Sequence, residues 1–247
     1  MPNPQFFATM GKVLAGGGLT DAPSNYANLY AWWKADAIVG LTDGQQVASW
    51  VDSSASGNNA TQSSSSLKPI YKTGIYNGQP CVRFDGSDDI LTISSISATA
   101  WNQPWTLAVI CRASTSSGTF SMLEGTGGDY FARQTYAPGV GNRFAARMID
   151  LGFGVKTSPG LTVGPLDLTA GIFLPNYPSD YLVWYEGKTL LGNQGVYGYA
   201  PVLNRIGGPS QPWAGDICEI CFWRTTLNST QITSLYDNYF KPKWGFP

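Results

Sequence analysis

The chain is 247 residues long, 43% hydrophobic, 13% aromatic and only 13% charged, against roughly 25% charged in a typical globular protein. That composition excludes wholesale disorder and leaves the polar surface to Ser, Thr, Asn, Gln and Gly. Its 15 basic and 16 acidic residues give a net charge of -1 and no histidine, which removes Ser-His-Asp and Cys-His nucleophilic sites, His-containing zinc sites and histidine general bases. The densest basic grouping, Arg133, Arg143 and Arg147, is no stripe for phosphates, so no nucleic-acid partner is expected.

Residues 1–25 read as an N-terminal attachment arm. Phe6, Phe7, Met10, Val13 and Leu14 would dock on a partner and Gly16, Gly17 and Gly18 would act as the hinge, the bland alternative being a frayed terminus. Lys12 follows the apolar patch rather than preceding it, so no secretory signal is expected. No window approaches the roughly 18 apolar residues of a membrane span, so no membrane insertion is expected either.

From residue 26 onward strand signals alternate with Gly, Pro, Asn and Ser clusters. Trp32 and Trp33 in AWWKAD alternate across one strand, so one belongs to the core and the other faces a loop or a second sheet. QVASWVD over 46–52 follows, with Trp50 inward and Asp52 opening the SSASGNN turn. Asn77-Gly78 makes a tight turn into CVRFDG, where Phe84 packs inward and Asp85-Gly86 turns the chain. Further strands are predicted over 89–96, 105–113, 120–125, 143–149, 169–175, 181–191 (a hairpin about Glu186-Gly187), 204–208 and 216–223. So many short strands in one stretch predict two packed antiparallel sheets, an all-β sandwich over residues 26–247.

One C-terminal segment departs from the β pattern. Asn228 and Gln231 form a capping box, and Ile232, Leu235, Tyr236, Tyr239 and Phe240 then fall on one helical stripe, with Pro242 ending the helix. The four cysteines, Cys81, Cys111, Cys218 and Cys221, sit in strand-like runs. The odd spacing in GDICEICFW puts Cys218 and Cys221 on opposite faces, and all four read as buried free thiols rather than a metal site.

Three stretches carry a resemblance: LYAWWKADAIVGLTDGQQVASWVDSSASGNNATQ, KPIYKTGIYNGQPCVRFDGSDDILTI and WAGDICEICFWRTTLNSTQITSLYDNYFKPKWG. Together, over about residues 29–94 and 203–245, they resemble the concanavalin A-like jelly-roll domains of the laminin G-like type, found in bacterial surface proteins and in tailed-phage structural proteins. The resemblance implies two antiparallel sheets with adjacent terminal strands. It also implies candidate calcium at loop edges, for which Asp85, Asp88 and Asp89 are the densest carboxylate cluster. The alternative for that cluster is a solvated turn whose aspartates cap the loop backbone.

Glycoside hydrolases of this architecture present acids at alternate positions of one strand. Here Asp216 and Glu219 are three apart and are expected on opposite faces, so no catalytic residue is assigned and no enzyme is expected. Carbohydrate binding needs only aromatic platforms and polar loop groups. Tyr130, Phe131, Tyr136, Tyr177, Tyr197, Tyr199 and Trp213 lie in Gly- or Pro-rich contexts that fit it. The function expected is that of a non-enzymatic virion structural or interaction protein of a tailed phage, a capsid decoration protein or a fibre or tail head. It would be assembled in the host cytoplasm as a homo-oligomer beside capsid or tail proteins. The alternative is an adhesin that recognises host-surface carbohydrate.

Overall fold

The computed structural model describes residues 19–97, 104–125, 127–135, 143–147, 156–158, 161, 167–176, 181–195 and 201–247. The strands are, in order, β1 (Leu29–Lys34), β2 (Ser49–Trp50), β3 (Ala60–Thr61), β4 (Ile70–Tyr76), β5 (Gln79–Asp85), β6 (Leu91–Ile96), β7 (Thr106–Ala113) and β8 (Gly118–Glu124). They continue with β9 (Tyr130–Thr135), β10 (Arg143–Arg147), β11 (Lys156–Thr157), β12 (Thr169–Asn176), β13 (Tyr181–Glu186), β14 (Thr189–Gly195), β15 (Leu203–Ile206) and β16 (Ala214–Trp223).

These strands form two antiparallel sheets packed as a sandwich. The first runs β14-β13-β12-β7-β16-β5-β4, with β1 paired to the C-terminal half of β16; the second runs β11-β10-β9-β8-β15-β6-β3-β2. The first and last strands are thus neighbours, Trp33 opposite Ile220 and Lys34 opposite Glu219. Alternation along each strand delivers one set of side chains to the space between the sheets. There Trp33, Trp50, Phe84, Trp105, Phe131, Phe144, Phe173, Trp184 and Phe222 form the main core. Phe173 is its hub, with edge-on rings at 5.1 Å (Phe131), 5.0 Å (Phe144) and 5.4 Å (Trp184), an arrangement that suits the aromatic quadrupole.

A second core lies on the outer face of the first sheet, beneath the C-terminal helix. Trp32 belongs here, edge-on to Tyr239, while its neighbour Trp33 belongs to the main core. The helix begins as α1 (Ser229–Leu235), and both arms of the capping box are present: Gln231 N donates to Asn228 Oδ1, and Asn228 N donates to Gln231 Oε1. Contrary to the sequence expectation, Pro242 does not end the helix. A π-helical turn over Tyr236–Phe240 re-phases the backbone so that Pro242 enters the first turn of α2 (Lys241–Trp244), where its missing N–H costs nothing. The helix ends at Gly245, whose φ of 75° is left-handed.

Two expectations about β16 are corrected by one bulge. Ile217 pairs with Cys111 and Glu219 with Ile110, so two residues of β16 oppose one of β7. The extra residue reverses the alternation. Cys218 and Cys221 therefore share the helix-covered face, and Asp216 and Glu219 also share it instead of facing opposite ways. All four cysteines are buried and free. Among the described residues no helix is long and apolar enough to cross a membrane.

Two residues inside the expected arm are tied to the rest of the fold: Asp21 accepts from Ser234 Oγ at 2.5 Å and from Asn238 Nδ2 at 2.9 Å on the C-terminal helix, and Pro23 O accepts from Trp223 Nε1 of β16 at 3.2 Å. Phe6, Phe7, Met10, Val13 and Leu14 lie outside the described residues.

Candidate functional site

The outer face of the second sheet carries a row of polar side chains in register. Ser49 faces Thr61, Thr61 faces Thr92, Thr92 faces Arg205, Arg205 faces Glu124, Glu124 faces Tyr130 and Tyr130 faces Arg147. One residue along each strand, Trp50, Ala60, Leu91, Ile206, Leu123, Phe131 and Ala146 all point into the main core, so pleating assigns the polar row to the opposite face. Seven strands thus contribute one side chain each to a line of hydroxyls, a carboxylate, a phenol and two guanidinium groups.

The centre of the row is sunk and its flanks are open. Glu124 is 2% exposed and Tyr130 5%, whereas Ser49, Thr61, Thr92 and Arg147 are exposed and Arg205 is half-buried. The segment from Gly207 to Gln211 borders this floor. Gly207 N donates to Met122 O at 2.9 Å, Ser121 N donates to Gln211 O at 2.8 Å, and Ser210 N makes a long 3.4 Å bond to Glu124 Oε2. Gly208 sits so close that a Cβ there would fall 2.3 Å from Glu124 Oε2 and 2.7 Å from Ser121 Cβ; only glycine lets the chain pass. Burial pushes the Tyr130 phenol above its ordinary range, opposed by Arg147 and by a hydrogen bond from the Gln211 side chain, with Glu124 adding to the rise. Ser121 Oγ and Gln211 Oε1 are buried here without a hydrogen-bond partner. Unsatisfied polar atoms at a buried floor are costly unless a ligand or water completes them.

Tyr130 and Phe131 therefore belong to strand β9, not to a loop: Phe131 is core and Tyr130 is the phenol of the row. Trp213 is fully buried in the main core, edge-on to Phe120 at 6.5 Å, and offers no platform to a sugar. Its position immediately before β16 points its ring between the sheets. Tyr136, Tyr177, Tyr197 and Tyr199 lie outside the described residues. Glu124, Arg205 and Gln211 carry no motif, and only the alternation in RFAAR places Arg147 on an outward face. The β8 bulge between Ser121 and Leu123 hides the rest.

Asp85, Asp88 and Asp89 do come together, with carboxylate oxygens within 4.8 Å of one another. Their oxygens also serve the loop: Asp89 Oδ2 accepts from Asp85 N at 2.8 Å, and Asp85 Oδ1 accepts from Ser87 N at 2.8 Å and Asp88 N at 3.3 Å. This is the backbone-capping turn named as the alternative to calcium, and the same oxygens are the ones a hard cation would take. Burial raises Asp89 to about 6, helped by the neighbouring Asp85 and Asp88 carboxylates and opposed by the Asp85 N–H.

Asp216 and Glu219, the pair weighed against hydrolase chemistry, are both committed elsewhere. Asp216 accepts Arg83 Nε (2.6 Å), Arg83 Nη2 (3.0 Å) and Tyr76 OH (2.5 Å). Glu219, fully buried under the helix, accepts Trp32 Nε1, Tyr239 OH, Lys243 Nζ and Trp244 Nε1.

No described protein family and no curated protein matches the sequence. Solved structures do match in fold. The binding domain of Paraclostridial Mosquitocidal Protein 1 superposes with a TM-score of 0.59 at 10% identity, over 86% of this chain and 52% of that one. Trypanosoma rangeli sialidase gives 0.55 at 12%, over 85% of this chain and 33% of that one. Domain 4 of AbnA, a GH43 extracellular arabinanase from Geobacillus stearothermophilus, in complex with arabinotriose, gives 0.50 at 11%, over 85% of this chain and 98% of that one. This chain therefore spans about half the length of the first and a third of the second. At such identities the likeness is one of fold.

Proposed function

We propose that this protein works by contact, as a non-catalytic lectin-like sandwich that binds carbohydrate along the outer-face row of the second sheet. The observation that carries the reading is the register itself, which lines up Thr92, Arg205, Glu124, Tyr130 and Arg147 on one face. Such a line supplies the mixed donors and acceptors that sugar hydroxyls require. The fold neighbours support it in kind: one is titled a binding domain and another is a domain in complex with arabinotriose.

The setting we propose is the surface of a tailed-phage particle, where the sandwich faces outward as a decoration protein or a fibre or tail head, in symmetric copies, with Phe6, Phe7, Met10, Val13 and Leu14 holding it to capsid or tail proteins. Removing residues 1–18 tests the setting. The truncated chain should fold and fail to enter particles, and normal incorporation would refute the arm.

Polysaccharide and glycan-array binding by the full chain, compared with Thr92→Trp and Tyr130→Phe, tests the carbohydrate reading. Thr92 is exposed, so a bulky ring there obstructs the row without entering the core. Binding that survives Thr92→Trp unchanged places the ligand elsewhere.

A further inference from the structure

The row carries two arginines, Arg205 at its middle and Arg147 at one end, whose charge is left open. Elsewhere in the fold guanidinium groups are held: Arg83 by Asp216, Arg133 Nη1 by Asp167 O at 2.9 Å, Arg224 Nε by Ser97 O at 2.9 Å, and Arg112 and Arg143 also have partners. Among the described residues the guanidinium groups of Arg147 and Arg205 make neither a side-chain hydrogen bond nor an ion pair, Arg147 only lying near enough to act on the Tyr130 phenol. The omission at Arg205 is specific, because Glu124 lies directly opposite it on the neighbouring strand and yet turns Oε2 to the Ser210 N–H. A half-buried guanidinium that has lost part of its hydration and gained no anion favours a ligand that brings one.

Geometry makes the two arginines one site. Arg205, Glu124, Tyr130 and Arg147 occupy successive strands β15, β8, β9 and β10 at matched register, so about 14 Å separates the outer two backbones, three strand spacings. Between them the Glu124 carboxylate and the Tyr130 phenol are sunk below the surface, so the two guanidinium groups are the parts of this stretch that a ligand reaches first.

We infer that the row selects acidic carbohydrate, a chain carrying carboxylate or sulfate groups, with Arg147 and Arg205 each gripping an anionic group through paired N–H donors. A sugar acid matches the planar fork of arginine bidentately and thereby gains direction as well as charge. This inference rests on the carbohydrate-binding reading above and narrows it to a ligand class.

The test is calorimetric titration of the full chain with matched polymers: polygalacturonate against its methyl ester, and dextran sulfate against dextran. The acidic member of at least one pair should bind more tightly, and the pair that discriminates identifies carboxylate or sulfate as the group read. Arg147→Gln and Arg205→Gln should each weaken that binding by about tenfold while leaving the circular dichroism and thermal midpoint unchanged. Arg147→Lys should recover part of the loss. Lys188→Gln, away from the row and paired with Asp237, should have no effect, which separates recognition from general attraction of polyanions. Equal affinity for the neutral and acidic members, or Arg→Gln variants that bind as wild type, overturns the acidic selectivity and leaves the carbohydrate reading in place. Binding to none of these polymers and to no glycan on an array overturns both.

Discussion

Trp32 Nε1 donates to Glu219 Oε1 across 2.5 Å, tying together residues 187 positions apart in the chain. The bond joins the first strand to the last at the point where the C-terminal helix lies over both. Glu219 also accepts Tyr239 OH at 2.9 Å, Lys243 Nζ at 3.0 Å and Trp244 Nε1 at 3.0 Å, while Lys243 Nζ reaches on to Asp36 Oδ1 at 2.9 Å. Burial works against the Lys243 ammonium, but Glu219 and Asp36 outweigh it and hold it above its ordinary range. A buried carboxylate with every donor supplied holds helix, first strand and last strand in one arrangement, and the β16 bulge is what aims it there.

Glu219→Ala should therefore destabilise the fold by about 3–5 kcal/mol, because it leaves the buried Lys243 ammonium with Asp36 as its one carboxylate and strips the acceptor from two buried indole N–H groups. Urea unfolding of the variant measures this. A change under 1 kcal/mol would mean that water replaces the carboxylate at little cost.

The capping box gives a smaller, local effect. Asn228→Ala removes the acceptor of the Gln231 N–H and should cost about 1 kcal/mol, with Asn228→Ser recovering most of it. Thermal midpoints of the three proteins report the difference.

Asp89 sets a pH dependence. Its folded value of about 6 lies above the usual 3.8, so the folded state binds the extra proton. This contribution to stability is fully present below about 3.8 and is lost as pH rises through about 6. Asp89→Asn, which keeps an acceptor for the Asp85 N–H, should flatten that part of the stability profile, with an effect on the order of 1 kcal/mol at neutral pH. Unfolding midpoints between these limits decide it, and parallel slopes for the two proteins would contradict the assignment.

Gly208→Ala links fold to site. The added Cβ would fall on Glu124 Oε2 and Ser121 Cβ, so it should cost about 1–3 kcal/mol and also weaken carbohydrate binding. Loss of stability with unchanged affinity would separate Glu124 from the ligand.

Much of this architecture is legible in the chain because short strands reveal themselves by alternation and by the turns between them. Asn77-Gly78 adopts positive φ at both residues, 49° and 76°, as the tight turn demands. Trp50 and Phe84 lie in the main core as their alternation places them. Asp52 organises its loop by accepting from Trp32 N, Ser54 N and Asn58 N. Bulges are not announced by the sequence. They carry no residue signature in β8 or β16, yet each reverses which side chains face the core, so the alternation of the sequence assigns Glu219 to the wrong face and gives no sign of Glu124. Pro242 is a related case, since one π-turn upstream converts a helix breaker into a first-turn residue. The site itself is a property of register between seven strands, and three of its six pairings (Thr61–Thr92, Thr92–Arg205 and Arg205–Glu124) join strands that are not consecutive in the chain, so no local pattern encodes it.

The most direct measurement is the affinity of the folded chain for an acidic polysaccharide, compared between wild type and Thr92→Trp at equal thermal stability. Saturable binding by wild type that falls by at least about tenfold in the variant is the predicted result. Equal binding by both proteins, or none by either across a broad glycan array, would contradict a carbohydrate site on this face.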